Sequence, residues 1–231
     1  RRTGCCGCRE NGEADPPRRG EKEGEPMNGV KRCLTAMFHP ARTFSDMWEK
    51  KNYGYAASFV ILGLFFLSKI LERQLTGFTF NYNDPDELNV AVIFAATCGG
   101  FTLWVIMNWM LSTLFDGKGR IPDIWLFSAY SLLPYIACTL LGIVLSNLLA
   151  PDEGIFLTWL NAVGILWSVG MLFTALIIIH DYSFGKVLWS SLGTLAGMLI
   201  VLFLLVLGYS LCQQIYGFFS DIVSEISYRL L

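Results

Sequence analysis

The sequence predicts an all-α integral membrane protein with five transmembrane helices. Two observations indicate this class. The 231-residue chain is 54% hydrophobic and 16% charged, with a mean hydropathy of +0.49, whereas an average soluble domain is about 25% charged. In addition, short polar loops separate five apolar runs, each as long as the roughly 17–25 residues of a membrane helix. The runs are residues 55–71, 90–115, 124–149, 155–179 and 187–212.

Composition divides the chain into four segments: residues 1–26, 27–54, 55–212 and 213–231. The first holds six basic and six acidic residues with no large aliphatic or aromatic residue, which is typical of a disordered tail. Position 1 is not Met, and Met27 stands just before a basic stretch. We therefore leave open whether residues 1–26 are native. Residues 55–212 form the predicted membrane domain.

Amphipathic helices are predicted on both sides of the membrane domain. Apolar residues repeat at spacings of three and four within residues 37–48 and again within residues 215–230. The first segment, in which Pro40 suits a first-turn position, is predicted to be an interfacial helix or a packed cytoplasmic cap on the bundle. The second is predicted to lie on the outer leaflet or to dock to a partner helix.

The distribution of basic residues predicts a cytoplasmic N-terminus and an external C-terminus. Eleven of the seventeen Lys and Arg residues lie within residues 1–51, and basic residues are retained on the cytoplasmic side of a membrane. Five spans then place Lys118, Arg120 and Lys186 on that side too. The opposite loops are acidic, and the formal net charge of −2 gives no indication of a nucleic-acid partner.

Asn108 and Asn161 are polar residues inside apolar runs, and we expect them to face other helices, because polar contacts hold membrane bundles together. Pro134 should kink the third span. No Asp, Glu, Lys, Arg or His lies in the middle of a run. Because coupled ion pathways generally use such residues, this pattern disfavours an autonomous pump.

The sequence gives little support for a metal, a cofactor or an active site. Cys5, Cys6 and Cys8 are close together but lack a clear fourth ligand for zinc. The acidic residues 84–87 and 151–153 fit helix capping better than calcium binding. His180 and Asp181 are too close in sequence for the geometry of a Ser-His-Asp triad. We therefore expect no metal, no cofactor and no enzymatic activity.

Four sequence segments together resemble the Yip1-domain membrane proteins, in particular their bacterial branch, over about residues 38–216. They are His39-Pro40 with Thr43-Phe44, the turn 116–119 (Asp-Gly-Lys-Gly), residues 129–135 (Ala-Tyr-Ser-Leu-Leu-Pro-Tyr) and residues 180–186 (His-Asp-Tyr-Ser-Phe-Gly-Lys). Eukaryotic members are trafficking factors that bind Rab GTPases. The chain lacks the Asp-Leu-Tyr-Gly-Pro motif of their cytoplasmic region, so GTPase binding is not carried over.

The resemblance implies a small membrane scaffold or accessory subunit in a bacterial plasma membrane. Its partners would be the lipid bilayer, other membrane proteins such as solute-transporter subunits, and further copies of the chain. The alternative is a transporter or channel component that lines a solute path. Six residues are candidates for helix packing or partner contact: Asn108, Tyr130, Pro134, Asn161, His180 and Asp181.

Overall fold

A computed structural model of the chain describes residues 29–50, 54–78, 80, 89–115 and 117–230, and these residues form helices and turns without a strand. Five helical stretches are long and apolar enough to cross a membrane, which confirms the predicted fold class. They are Tyr55–Leu75, Val90–Leu114, Ile121–Ser146, Pro151–His180 and Phe184–Glu225. The predicted tail, the cluster of cysteines at positions 5–8 and the acidic loop at 84–87 lie outside the described residues.

The segment before the first span packs onto the bundle. It consists of α1 (Gly29–Phe38) and α2 (Pro40–Lys50). Phe44 of α2 is fully buried, and its ring meets that of Phe127 edge to face with centroids 5.3 Å apart. The Trp167 indole donates a hydrogen bond of 3.2 Å to a backbone carbonyl of α1. Of the two predicted alternatives, the described side chains therefore form the packed cap.

The first span is a single helix, whereas the second contains a π-helical turn. The first is α3 (Tyr55–Leu75), and the second consists of α4 (Val90–Phe94), the π turn (Ala95–Gly99) and α5 (Gly100–Leu114). The Asn89 side chain caps α4 by accepting hydrogen bonds from two backbone N–H groups, at 3.1 and 3.2 Å. Because a π turn fits an extra residue into the helix, it changes the face on which the following side chains lie.

The third span is interrupted at Leu132, which separates α6 (Ile121–Ser131) from α7 (Leu133–Ser146). Pro134 lies in the first turn of α7, where its ring and its missing N–H interfere with a continuous helix. The N–H of the following residue donates instead to Ser168 Oγ of the fourth span, at 3.0 Å. The predicted irregularity at Pro134 is therefore present, and a side chain from another helix compensates for it.

The third span occupies the centre of the bundle. Half of its apolar stretch is buried, more than in the other four spans. The buried residues of α6 include one charged side chain, Asp123, and are mostly apolar or small: Ile124, Leu126, Phe127, Ser128, Ala129, Tyr130 and Ser131. The cap and the first, second and fourth spans all contact this span.

The fourth span begins with a 3₁₀ turn (Pro151–Glu153) and continues as α8 (Ile155–His180). The last helix, α9 (Phe184–Leu230), has 47 residues and is therefore about 70 Å long. This is more than twice the roughly 30 Å of a bilayer's hydrocarbon core. The fifth span and the amphipathic segment predicted after it thus form one helix.

Candidate functional site

The turn at Gly117–Gly119 and the connection between α8 and α9 meet at one end of the bundle. His180 ends α8, and Asp181 follows with a left-handed φ of 56°. The Asp181 N–H closes the helix end by donating to the Ile177 carbonyl. The exposed Lys118 Nζ lies 2.9 Å from Asp181 Oδ2 and ties the two connections together at the surface.

A chain of hydrogen bonds runs inward from this turn. We call its members the His180 cluster: Gly119, His180, Asn108 and Thr194. The Gly119 N–H donates to His180 Nδ1 at 3.4 Å, and His180 Nε2 lies 3.3 Å from Asn108 Oδ1. Asn108 Nδ2 donates to Thr194 Oγ1 at 3.5 Å, and Thr194 donates to the Ser190 carbonyl at 2.9 Å. The cluster joins α5, α8 and α9.

The hydrogen bonds of the His180 cluster all run in the same direction, from Gly119 through His180 and Asn108 to Thr194. Because His180 Nδ1 accepts from a backbone N–H, the proton of the neutral ring must lie on Nε2, which donates to Asn108. The Asn108 amide then has its NH₂ group free for Thr194. The side chains of His180, Asn108 and Thr194 are 3% exposed or less, so these mutual bonds replace those that water would supply.

Tyr182 covers the outer side of the cluster. Its ring stacks on His180 with a centroid distance of 5.2 Å and an interplanar angle of 22°. Its hydroxyl donates to the Phe115 carbonyl at 3.0 Å, just beyond the end of α5. This hydrogen bond fixes the α8–α9 connection against the end of the second span.

Two glycines make this close packing possible. A Cβ atom at Gly117 would lie 2.7 Å from the Tyr182 hydroxyl and 2.8 Å from His180 Nδ1. A Cβ atom at Gly119 would lie 2.6 Å from both His180 Cε1 and Ile179 Cγ2. Real Cβ atoms do not approach other atoms this closely, so a side chain at either position would force the neighbouring side chains to shift. Both ring nitrogens of His180 take part in hydrogen bonds within the protein. The geometry therefore fits a structural contact between helices better than a catalytic base.

A second polar group lies at the opposite end of the bundle from the His180 cluster, near the end of the first span. Lys69 forms an ion pair of 2.7 Å with Glu72, donates to the Tyr135 hydroxyl, and stands 4.7 Å from the centre of that ring. Two cavities adjoin it. One cavity, of about 580 Å³, is bounded by α3 and α4. The other, of about 480 Å³, is lined by Glu72 and by residues of α7 and α8, among them Asn161.

The Yip1 domain family model matches residues 34–207, about three-quarters of the chain. The chain belongs to the Yip1 domain family. The matched residues extend from α1 to the middle of α9 and include the His180 cluster, Lys69 and all the helices between them. A comparison with curated proteins finds no match, and neither does a comparison with solved structures.

Within the Yip1 domain, the six candidate residues do not form a single site. Asn108 and His180 are bonded in the cluster, and Asp181 lies beside it at the surface. Tyr130 and Pro134 are buried in the third span, away from that cluster. The sequence predicts that Asn161 faces another helix, but this residue is exposed and lines the 480 Å³ cavity.

The sequence analysis missed Thr194 and Tyr182. Thr194 could have been found from its spacing, because Ser190 and Thr194 place two hydroxyls four residues apart, on one face of an apolar helix. Tyr182 lies in segment 180–186, which resembles the family, but the sequence gives no indication of its contact with Phe115 in another connection. The turn 116–119 and segment 180–186 resemble the family separately, and the structure brings them into contact.

No group of three or more His, Cys, Asp or Glu side chains in the described part of the chain is arranged to hold a metal ion. The described cysteines, at positions 33, 98, 138 and 212, are unpaired. Cys33 lies outside the spans, and burial raises the pKa of its thiol. At neutral pH this thiol is therefore largely protonated, and it is a poor metal ligand or nucleophile.

Proposed function

We propose that this Yip1-domain protein is a non-enzymatic scaffold or accessory subunit that organises other membrane proteins. Its family and its five apolar helices establish it as a membrane protein in contact with lipid. The proposal adds that part of the membrane-facing surface binds a protein. The partners would be solute-transporter subunits or further copies of the chain, in a bacterial plasma membrane.

The observation that carries the proposal is the exposure of the second half of the fifth span. Its first half packs on α5 and α8, but from residue 195 to residue 212 no residue is buried, whereas half of the apolar stretch of the third span is buried. Five consecutive residues, 202–206, are each between 47% and 68% exposed. Since successive residues of a helix point about 100° apart, these five cover all its sides. This part of α9 therefore has a free surface on every side within the described chain.

The first part of α9 shows how this helix binds another. At Gly193 and Gly197, Cβ atoms would lie 2.6 and 2.5 Å from the side chains of Leu111 and Met107 on α5. Small residues four apart allow helices to approach closely in membranes. Gly208 and Cys212 repeat that spacing farther along, where a Cβ atom at Gly208 would meet no atom of another element within 4 Å. A helix of another protein would find a similar surface there.

The burial of Asn108 also favours a scaffold over a solute path. A water-filled path would expose the polar groups inside the bundle, yet Asn108 is 1% exposed and bonded to His180 and Thr194. Asn161 is exposed, as the rival proposal expects, but it lies at a cavity near one end of α8. A cysteine at position 108 should therefore resist a polar thiol reagent.

Photocrosslinking in native membranes tests the scaffold proposal. Benzoylphenylalanine would replace Leu205 in α9, which is 63% exposed, and Leu166 in α8, which is 72% exposed, as the matched control. We expect position 205 to give a discrete protein adduct, either a dimer or a complex with a second protein, and position 166 to give lipid adducts. Lipid adducts alone at both positions would overturn the proposal.

A further inference from the structure

We propose that a second copy of the chain covers the exposed side of α9, so that two α9 helices pair in parallel from Gly208 to Ile222. This inference rests on the proposed function, in which α9 binds a protein, and it names that protein. Three features of α9 support it: the side of the helix that is exposed, the distance that the helix extends, and the absence of charge on that side.

The side of α9 that packs on α5 continues along the rest of the helix. Ser190 and Thr194 are buried, and a Cβ atom at Gly197 would lie 2.5 Å from the Met107 side chain of α5. Because an α-helix has about 3.6 residues per turn, residues 18 positions apart are separated by five turns and lie on the same side. The residues 18 positions after Ser190, Thr194 and Gly197 are Gly208, Cys212 and Ile215.

This side of α9 is uncovered in the described part of the chain from Gly208 onward. We define the α9 stripe as Gly208, Cys212, Ile215, Phe219 and Ile222, which follow one another at spacings of four and three. A Cβ atom at Gly208 would meet no atom of another element within 4 Å, and the other four side chains are exposed. Alternating spacings of four and three allow the side chains of two parallel helices to interlock. The α9 stripe therefore fits a helix that runs alongside α9.

Part of the α9 stripe lies beyond the hydrocarbon core of the membrane. Residues 184–212 span about 43 Å, and a tilt of about 40° would still leave about 33 Å along the membrane normal. The hydrocarbon core is roughly 30 Å thick, and Gln213 and Gln214 end the apolar run. Because α9 is one continuous helix, Ile215 and Phe219 cannot lie flat on the membrane surface while the same helix crosses it. Lipid therefore does not cover this part of the stripe.

A second copy matches the α9 stripe along its whole length. The stripe begins within the apolar run, at Gly208 and Cys212, and continues beyond it. A partner helix must therefore cross the membrane and extend equally far on the same side. A second copy in the same membrane does both. In a parallel pair related by a two-fold axis, each residue of the stripe meets the same residue of the other copy at the same height.

The chemistry of the α9 stripe allows it to meet a copy of itself. The stripe contains no charged residue, so parallel pairing places no like charges opposite each other. Asp221 and Glu225 point about 160° and 120° away from Phe219 around the helix. Gly208 lets two helices approach closely within a membrane. The two Cys212 side chains would then lie near each other.

Disulfide formation in native membranes tests the pairing. In a variant whose only cysteine is Cys212, copper phenanthroline should link two copies through this residue. The matched control combines Cys212→Ser with Ser210→Cys, which moves the thiol to the opposite, exposed side of α9 at nearly the same depth. We expect most of the chain to be linked at position 212 and little at position 210. No link at position 212, or equal yields at the two positions, would overturn the inference.

Photocrosslinking at position 205 separates this inference from the scaffold proposal. If Cys212 forms no link while benzoylphenylalanine at position 205 gives an adduct with a different protein, α9 binds another partner. The scaffold proposal then stands, and the pairing with a second copy is wrong. If Cys212 forms no link and position 205 gives lipid adducts alone, both proposals are wrong.

A pair of charge variants tests the part of the α9 stripe beyond the membrane. Both are made in the variant whose only cysteine is Cys212. Phe219→Asp places two like charges in the contact and removes two apolar rings, so most of the linked dimer should be lost. Ser224→Asp adds the same charge at an exposed position about 140° away around the helix and should leave the yield unchanged.

Thermal unfolding in detergent shows whether each charge variant keeps its fold. If folded Phe219→Asp gives as much linked dimer as Ser224→Asp, the segment after Cys212 does not pair with a second copy, and the inference is overturned.

Discussion

At the scale of single residues, the polar contacts of this membrane bundle depend on glycines as much as on the polar side chains. The His180 ring reaches the backbone of the turn at Gly117–Gly119 because position 119 has no side chain. His180, Asn108 and Thr194 then form hydrogen bonds with one another. Without these bonds, their buried donors and acceptors would be unpaired. In a membrane, where water offers no alternative partner, this pairing helps to determine how the helices fit together.

We expect Gly119→Ala to destabilise the protein. The added methyl group would meet His180 and Ile179 at 2.6 Å, and overpacking of this kind costs about 1–3 kcal/mol. The measurement is thermal unfolding in detergent. Gly99→Ala is the matched control, because a Cβ atom there would have nothing within 4 Å. Since Gly99 is helical, alanine should leave stability unchanged or raise it by up to about 1 kcal/mol. Equal transition temperatures for the two variants would contradict this account of Gly119.

At the scale of helices, much of the fold could be predicted because bilayer thickness sets the length of each span. The apolar runs therefore predict five helices with approximately correct limits, except that the last helix continues beyond residue 212 to Leu230, and Pro134 indicates the interruption of the third span. The π turn at Ala95–Gly99 could not be predicted, because its residues are as apolar as their neighbours. The same is true of the contact between Gly119 and His180, which depends on how three helices are placed relative to one another.

The cap formed by α1 and α2 could be predicted as amphipathic, but not as packed, since an interfacial helix has the same spacing of apolar residues. Phe44→Ala tests whether the cap contributes to stability. Phe44 is 0% exposed and contacts Phe127, so its truncation should cost about 3–5 kcal/mol. Phe38→Ala is the control, because Phe38 is 64% exposed and should cost less. The measurement is again thermal unfolding, and equal shifts would indicate that the cap does not pack as described.

At the scale of the whole molecule, the two ends of the bundle differ in chemistry. One end carries Lys118, Arg120 and Lys186, together with the His180 cluster. The other carries the Lys69 group and the turn at Pro151–Glu153. Because basic residues are retained in the cytoplasm, the first end is predicted to face inward.

Thiol labelling tests this orientation. Arg120 and Asp152 are exposed and lie at opposite ends of the third span, so cysteines placed there in a cysteine-free variant report on the two faces of the membrane. A membrane-impermeant maleimide added to intact cells should label Asp152→Cys and should label Arg120→Cys only after lysis. The reverse pattern would show that the N-terminus faces outward. If intact cells label both positions, the third span does not cross the membrane as its length and composition indicate.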